Sequence, residues 1–170
     1  MTTSRIEIDK KQNTIIIVSL YLFYLLGFLL NEDSNGGASV DYDTYRSIIN
    51  NFVLDFKNTF LNYDKFGERH SPVLIMILSL FYKLNIEDYI IRLVSLNLSI
   101  ISIIFFYKCL ILKFKKIDNN YLILISTIFF LSPAFRSLSI WPDSRIFGFH
   151  FFVISVYYFL KFTYFEKKVI

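Results

Sequence analysis

The chain is poor in the residues that staple or punctuate a small soluble fold: its 170 residues hold one cysteine, two histidines, three prolines and five glycines. The single Cys109 lies inside an apolar segment, which excludes a disulfide framework and a cysteine metal site within one chain. The first apolar run has no Ala-x-Ala-like cleavage site and further runs follow it, so it reads as a retained anchor and not as a signal peptide. A formal charge of +4 is modest, and basic residues in a chain this apolar mostly set orientation in a membrane. We therefore expect no nucleic-acid partner.

What the chain has in excess is apolar and aromatic surface. Hydrophobic residues make up 55%, aromatic residues 19%, and the mean hydropathy is +0.49, above the usage of soluble domains. The expected partner is the lipid bilayer. Crossing its core of about 30 Å takes roughly 20 apolar residues as a helix, and four stretches qualify or nearly so: 14–30, 89–112, 121–135 and 146–165. A fifth run, PVLIMILSLFY at 72–82, reaches only about 17 Å as a helix, too short to cross alone. The expected fold class is an all-α, polytopic transmembrane helical bundle, with a lead segment at 1–13, one membrane domain over 14–170 and a long first loop at 31–88.

Charge chooses the topology. If the short run returns to the side it came from, the N-terminal side carries ten Lys and Arg against four acids, and the opposite side eight against ten. If it crosses, the Lys108 to Lys116 cluster moves outside. The positive-inside rule prefers the first arrangement, which makes 72–82 a re-entrant or interfacial helix. The expected protein is a multi-pass one of the plasma (inner) membrane of a prokaryote, with a cytoplasmic N-terminus.

The long loop is not a simple linker. After a turn signal at Gly36-Gly37, apolar residues recur at Tyr45, Ile49, Phe52, Phe56 and Phe60, with Arg46, Asn50, Asn51, Asp55, Lys57 and Asn58 between them. This is one helical stripe. It fits a helix lying in the membrane interface or one docked on its own bundle. Asp41 and Asp43 fall at the junction between the first span and this helix.

Other costly polar residues are expected at the same face. Arg69 and His70 precede Pro72, which opens the short helix; its N-terminus favours an anion. Arg92 lies one turn into a span, where a charge snorkels or holds a counter-ion. The loop SPAFRSLSIWPDSR, 132–145, adds Arg136, Trp141, Asp143 and Arg145. Carboxylates opposed to arginines suit a general base acting on an acceptor and cations that stabilise a departing phosphate. The Asp-Tyr-Asp pair is also a candidate for a divalent metal through oxygen ligands.

The order of these features resembles the N-terminal part of the GT-C superfamily of integral-membrane glycosyltransferases, such as protein O-mannosyltransferases and aminoarabinose transferases. The shared order is a first span, an acidic motif in the first outer loop, an amphipathic helix, His70-Ser71-Pro72 before a short helix, and Arg92 entering the next span. A basic inner loop follows, then a span ending in Ser132-Pro133 and a loop with Arg136 and Asp143. The resemblance implies that Asp41 or Asp43 is catalytic and that His70, Arg69, Arg92, Arg136, Trp141, Asp143 and Arg145 bind substrate. It implies a sugar donor on a polyprenyl phosphate and a glycan, lipid or protein acceptor. It also implies that the chain is the front of a longer enzyme, inactive alone. The competing expectation is a non-catalytic four-span scaffold or accessory subunit that reaches a partner membrane subunit through Ser95, Asn97, Ser99 and Ser102. A channel or transporter would need ionisable residues in several spans, and His150, alone near the end of the last, reads as a packed residue.

Overall fold

The computed structural model describes residues 2–33 and 37–169, and the side chains of 11–33 and 37–164. Gly36 and the charged side chains near both termini lie outside the described residues. No strand occurs among those described. The helices are α1 (Thr2–Leu29), α2 (Ala38–Leu54), α3 (Phe56–Leu61), α4 (Val73–Lys83), α5 (Asp88–Lys113), α6 (Asn119–Thr127), α7 (Pro133–Ile140) and α8 (Ser144–Val169), with 3-10 turns at Tyr63–Phe66 and Ile128–Leu131. The all-α bundle is as expected. Helix α1 starts at Thr2, so residues 2–13 of the lead segment are helical and continuous with the first span.

Three segments are long and apolar enough to cross a membrane: Lys11–Leu29, Asp88–Lys113 and Ser144–Tyr164. A fourth crossing exists only if Asn119–Leu131 and Pro133–Ile140, bent by 65° at one break, count as one. The expectation of one span over 121–135 followed by a loop over 132–145 is thus corrected. The cause is local. Proline has no amide to donate and drives the residue before it out of the helical region; Ser132 is extended (φ −73°, ψ 116°) and its hydroxyl caps α7 by accepting from the Phe135 amide (3.3 Å). Helix α5 is the most buried of the three long spans, 33% against 17% and 11%, and the bundle is assembled around it.

Water cannot drive helices together inside lipid, so shape and hydrogen bonds do. Tyr24 of α1 is fully buried and bonds Ser99 of α5; Tyr21 donates to Asn97 (3.1 Å), and Ser102 pairs with His150 of α8 (2.5 Å). The residues expected to reach a partner subunit are therefore largely engaged within this chain. Asn97 also donates to the Leu93 carbonyl and Ser99 to that of Leu96.

The ends of α1 and α4 explain how the chain turns back. Asn31 (φ 53°) and Asn85 (φ 56°) adopt the left-handed conformation. The amides of Glu32 and Ile86 return to the carbonyls of Gly27 (2.9 Å) and Phe81 (3.1 Å), while those of Asn31 and Asn85 return to Phe28 (3.1 Å) and Tyr82 (2.9 Å). Both exits are Schellman motifs with Asn at the left-handed position. The amphipathic stripe begins earlier and ends sooner than expected. Helix α2 starts at Ala38, so Asp41 and Asp43 sit inside it, and Asp55 breaks it: this residue closes α2 and caps α3, accepting from the Asn58 amide (3.0 Å). Tyr42, Tyr45, Ile48, Ile49 and Phe52 pack on Leu74, Ile75 and Leu78 of α4, whereas Phe56 and Phe60 remain exposed. Docking on the bundle describes α2, with each fully buried isoleucine contributing about 1.5–3 kcal/mol.

Candidate functional site

At the end of the bundle where α1 finishes and α5 and α8 begin, α2 and α4 form a layer over the spans. Asp41 lies one turn into α2 and meets Arg145, the second residue of α8. Arg145 Nη2 donates to Asp41 Oδ2 (2.6 Å) and to Asp143 Oδ2 (2.8 Å), and its Nε donates to Asp143 Oδ1 (2.8 Å). Asp143 is 1% exposed, and its Oδ1 also accepts from the Arg145 amide (2.7 Å). It is therefore the cap of α8 as well as the fixed counter-ion of Arg145. Asp41 is the loose member, since it and Arg145 are about half exposed (48% and 47%).

Asp43 does not join this cluster. Residues two apart on a helix are about 200° apart around its axis, and Asp43 faces Arg46 (3.6 Å). Arg46 is held by Asp88, the first residue of α5, which also accepts from the hydroxyls of Tyr82 and of Tyr42 (3.1 Å). Burial raises the Tyr42 hydroxyl well above its ordinary pKa, with Tyr82 adding to the rise. It stays a donor. With Asp41 and Asp43 turned to different arginines, the pair does not form one chelate, and no group of three or more His, Cys, Asp or Glu among the described residues is placed to hold a metal ion.

Arg136 is withdrawn from the surface. It forms a two-pronged pair with Glu32 (Nε to Oε2 2.8 Å, Nη2 to Oε1 2.7 Å), and its Nη1 donates to the carbonyls of Phe130 and Leu131 (3.2 Å each). Those carbonyls are freed by the break before α7, so the guanidinium satisfies the C-terminal end of one half-helix. Glu32 fits because Gly27 has no Cβ: one built there would lie 2.5 Å from Glu32 Oε2. The next residue, Asp33, accepts from the amides of Ala38 (3.2 Å) and Ser39 (3.4 Å) at the start of α2 and from Ser39 Oγ (2.5 Å) and Ser137 Oγ (3.1 Å). The Ser39 hydroxyl, foremost, holds this carboxyl below the usual range.

Arg92 is ordered at this end without a carboxylate partner among the described residues. Its guanidinium lies 3.6 Å from the centre of the Trp141 ring and 5.5 Å from that of Phe28, and Nη2 donates to Asn31 Oδ1 (2.8 Å). Trp141 is fixed in turn, its indole N–H donating to the Glu32 carbonyl (3.2 Å) and its ring 6.0 Å from Tyr42. Beneath the cluster lies an apolar cavity of about 60 Å³ between α4, α5 and α8, walled by residues such as Leu78, Leu98 and Phe147, with Asp143 at one part of its wall and His150 at another.

Of the residues singled out in the sequence, Asp41, Asp143 and Arg145 come together, and Arg92 and Trp141 form a second unit on which the Tyr42 ring packs. Asp43 and Arg136 turn to other partners. Arg69 is exposed, and His70 lies in the loop before α4 beside Glu68, whose charge reaches the Tyr45 hydroxyl together with those of Asp143 and Asp41. Sequence reasoning passed over Glu32, Asp33, Glu68 and Asp88. A signal existed for three of them: Asn-Glu-Asp at 31–33 and Asn-Ile-Glu-Asp at 85–88 each set acids within three residues of the asparagine that ends a helix. No family model, no curated protein and no solved structure matches this chain.

Proposed function

We propose that this chain forms the donor-binding front of a membrane glycosyltransferase, which moves a sugar from a polyprenyl phosphate to an acceptor hydroxyl or amide on the extracytoplasmic face. The observation that carries the reading is Arg145, bound firmly to buried Asp143 and loosely to half-exposed Asp41, with Asp143 on the wall of an apolar cavity and Arg92 ordered at the same end of the bundle without a carboxylate among the described residues. A phosphate entering here meets Arg92 and the free edge of Arg145, while the lipid chain finds apolar walls. Because Asp143 keeps Arg145 in place, the phosphate displaces only Asp41.

Asp41, so released, takes the proton of the acceptor. The acceptor atom bonds to the anomeric carbon, the carbon–oxygen bond to phosphate breaks, and the electron pair leaves on the phosphate beside the two arginines. No metal enters the scheme. The half-exposed site is completed by further membrane helices, either of the same polypeptide or of a partner subunit. The mass of the polypeptide in source-cell membranes that carries the 31–71 loop separates these cases.

The test is transfer of labelled sugar from a polyprenyl-phosphate donor by membranes containing the longest natural form. Asp41→Asn is expected to lower turnover about 100- to 10,000-fold, the worth of a positioned base, with Asp43→Asn close to wild type. Transfer unchanged in Asp41→Asn, or absent from the unaltered protein with every acceptor class, would sink the reading.

A further inference from the structure

The opposite end of the bundle, where α5 and α8 finish and α6 begins, is tied together by uncharged groups. The Tyr107 hydroxyl donates to Asn119 Oδ1 (2.9 Å), and Asn13 Nδ2 donates to Asn120 Oδ1 (2.5 Å). Six of the nine described lysine side chains gather there, and Asp118 is the one carboxylate described beside them. Asp118 is already in use, since it caps α6 by accepting from the Asn120 amide (2.7 Å). Among the described residues, no carboxylate pairs with Lys108, Lys113, Lys115 or Lys116.

Two of these lysines are seated on aromatic rings, and both seats lie on the seam where α8 packs along α5. Lys108 Nζ of α5 is 4.8 Å from the centre of the Phe105 ring and 5.7 Å from that of Tyr157 on α8, and these two rings meet edge to face (5.3 Å). Lys115, just beyond the end of α5, has its Nζ 4.5 Å from the centre of the Tyr164 ring. Tyr157 and Tyr164 are seven residues apart, which is two turns along one face of α8, so the two seats stand on the same side of the helix pair, about 10 Å apart along it. Lys108 lies five residues before the last residue of α5. Its stem runs along apolar surface while its tip reaches toward the headgroups.

A ring face attracts an ammonium but takes up only one side of it. The group has three N–H donors, and neither Lys108 nor Lys115 has a hydrogen-bond acceptor among the described residues. Each cation is thus held in position without being neutralised. The excess of positive charge calls for an anion, and the membrane itself supplies one at this level, the headgroup of an acidic lipid.

We propose that the α5–α8 seam binds the headgroup of an anionic phospholipid in the leaflet at the lysine end, with Lys108 and Lys115 donating to its phosphate. The inference is independent of the transfer reading, which concerns the other end of the bundle. Lysines that only set orientation need charge and no fixed geometry. Lys113 and Lys116 are the built-in comparison, because they carry the same charge at the same end with no ring contact among the described residues.

The experiment takes the longest natural form of the protein in detergent micelles, titrates it with phosphatidylglycerol or phosphatidylcholine, and reads lipid-bound species by native mass spectrometry. Phosphatidylglycerol is expected to fill the seam more tightly than phosphatidylcholine, which has no net charge. Lys108→Gln with Lys115→Gln is expected to lower its affinity about 25-fold, about fivefold for each ammonium, and Lys113→Gln with Lys116→Gln by less than about fivefold. Equal losses in the two pairs would mean diffuse attraction and overturn the seam, as would phosphatidylcholine binding as tightly as phosphatidylglycerol. Lys108→Arg with Lys115→Arg separates charge from packing: arginine keeps the charge and stacks on rings, so binding close to that of the unaltered protein is expected. A loss as large as that of the glutamine pair would mean that the side chains act by packing alone, and the proposal would fall.

Discussion

The two ends of this bundle use their charges in different ways. Where α1 ends and α5 and α8 begin, the charges include all five described arginine side chains, and Arg136 and Arg145 grip Glu32 and Asp143 in fixed geometry; at the opposite end stand six of the nine described lysine side chains. There Lys108 lies over the Phe105 ring (4.8 Å) and Lys115 over the Tyr164 ring (4.5 Å). A lysine tip over a ring at the membrane boundary stays hydrated and replaceable. A guanidinium bound at two points orients the elements that carry its partners, so the arginine end has the specific geometry that a site requires, and the lysine end has the charge that orientation requires.

Removing one partner from each end should expose the contrast most strongly. Glu32→Gln leaves Arg136, only 10% exposed on its side chain, without its counter-ion, and the expected cost is about 3–5 kcal/mol, as for other broken buried pairs. Lys108→Ala removes contacts worth about 0.5–1 kcal/mol. Thermal unfolding of the two variants in the same detergent is the measurement; equal shifts would erase the distinction between the ends.

A smaller effect sharpens the comparison within the arginine end. Asn31→Ala and Asn85→Ala both place alanine at positive φ, at about 1–2 kcal/mol each, but Asn31 also holds Arg92. The first variant is expected to lose more by about one hydrogen bond to a charged group, roughly 1.5–3 kcal/mol. Glycine at either position should recover the backbone part only. If Asn31→Gly and Asn85→Gly unfold alike, Arg92 does not depend on that amide.

The smallest effect is one of pH. Asp33 has its carboxyl held below the ordinary value of 3.8 in the folded chain, chiefly by Ser39, so it stays ionised in the folded state where an unfolded chain would already be protonated. Its contribution is complete above 3.8 and fades as pH falls through and below that value. Asp33→Asn should flatten this acid limb of the stability curve without changing stability differences at the lysine end. An unchanged limb would mean that α2 is anchored by its packing on α4 alone.

Much of the fold was legible because lipid imposes length and hydropathy on any helix that crosses it: 14–30, 89–112 and 146–165 fall on the three helices long and apolar enough to cross a membrane. The misreadings fall where local and tertiary rules compete. The residues at 133–140 contain enough polar side chains to pass for a loop, yet Ser132 and Pro133 start a helix there, and Arg136 makes its buried position tolerable by pairing with Glu32. Phe56 and Phe60 continued a helical period, but Asp55 bonds its own downstream amide and stops the helix.

The same division holds for the candidate site. The sequence by itself determined that the chain is an all-α membrane protein and that acids and arginines gather at one end, because apolar length and charge asymmetry are properties of the chain alone. The tertiary structure decided which acid meets which arginine. Arg145 bonds Asp41 across 104 residues, and Arg136 bonds Glu32 across the same number; either arginine would suit either acid by charge. The choice follows from the bend before α7, the left-handed turn at Asn31 and the missing Cβ at Gly27, which together bring Glu32 to Arg136 and leave Asp41 to Arg145.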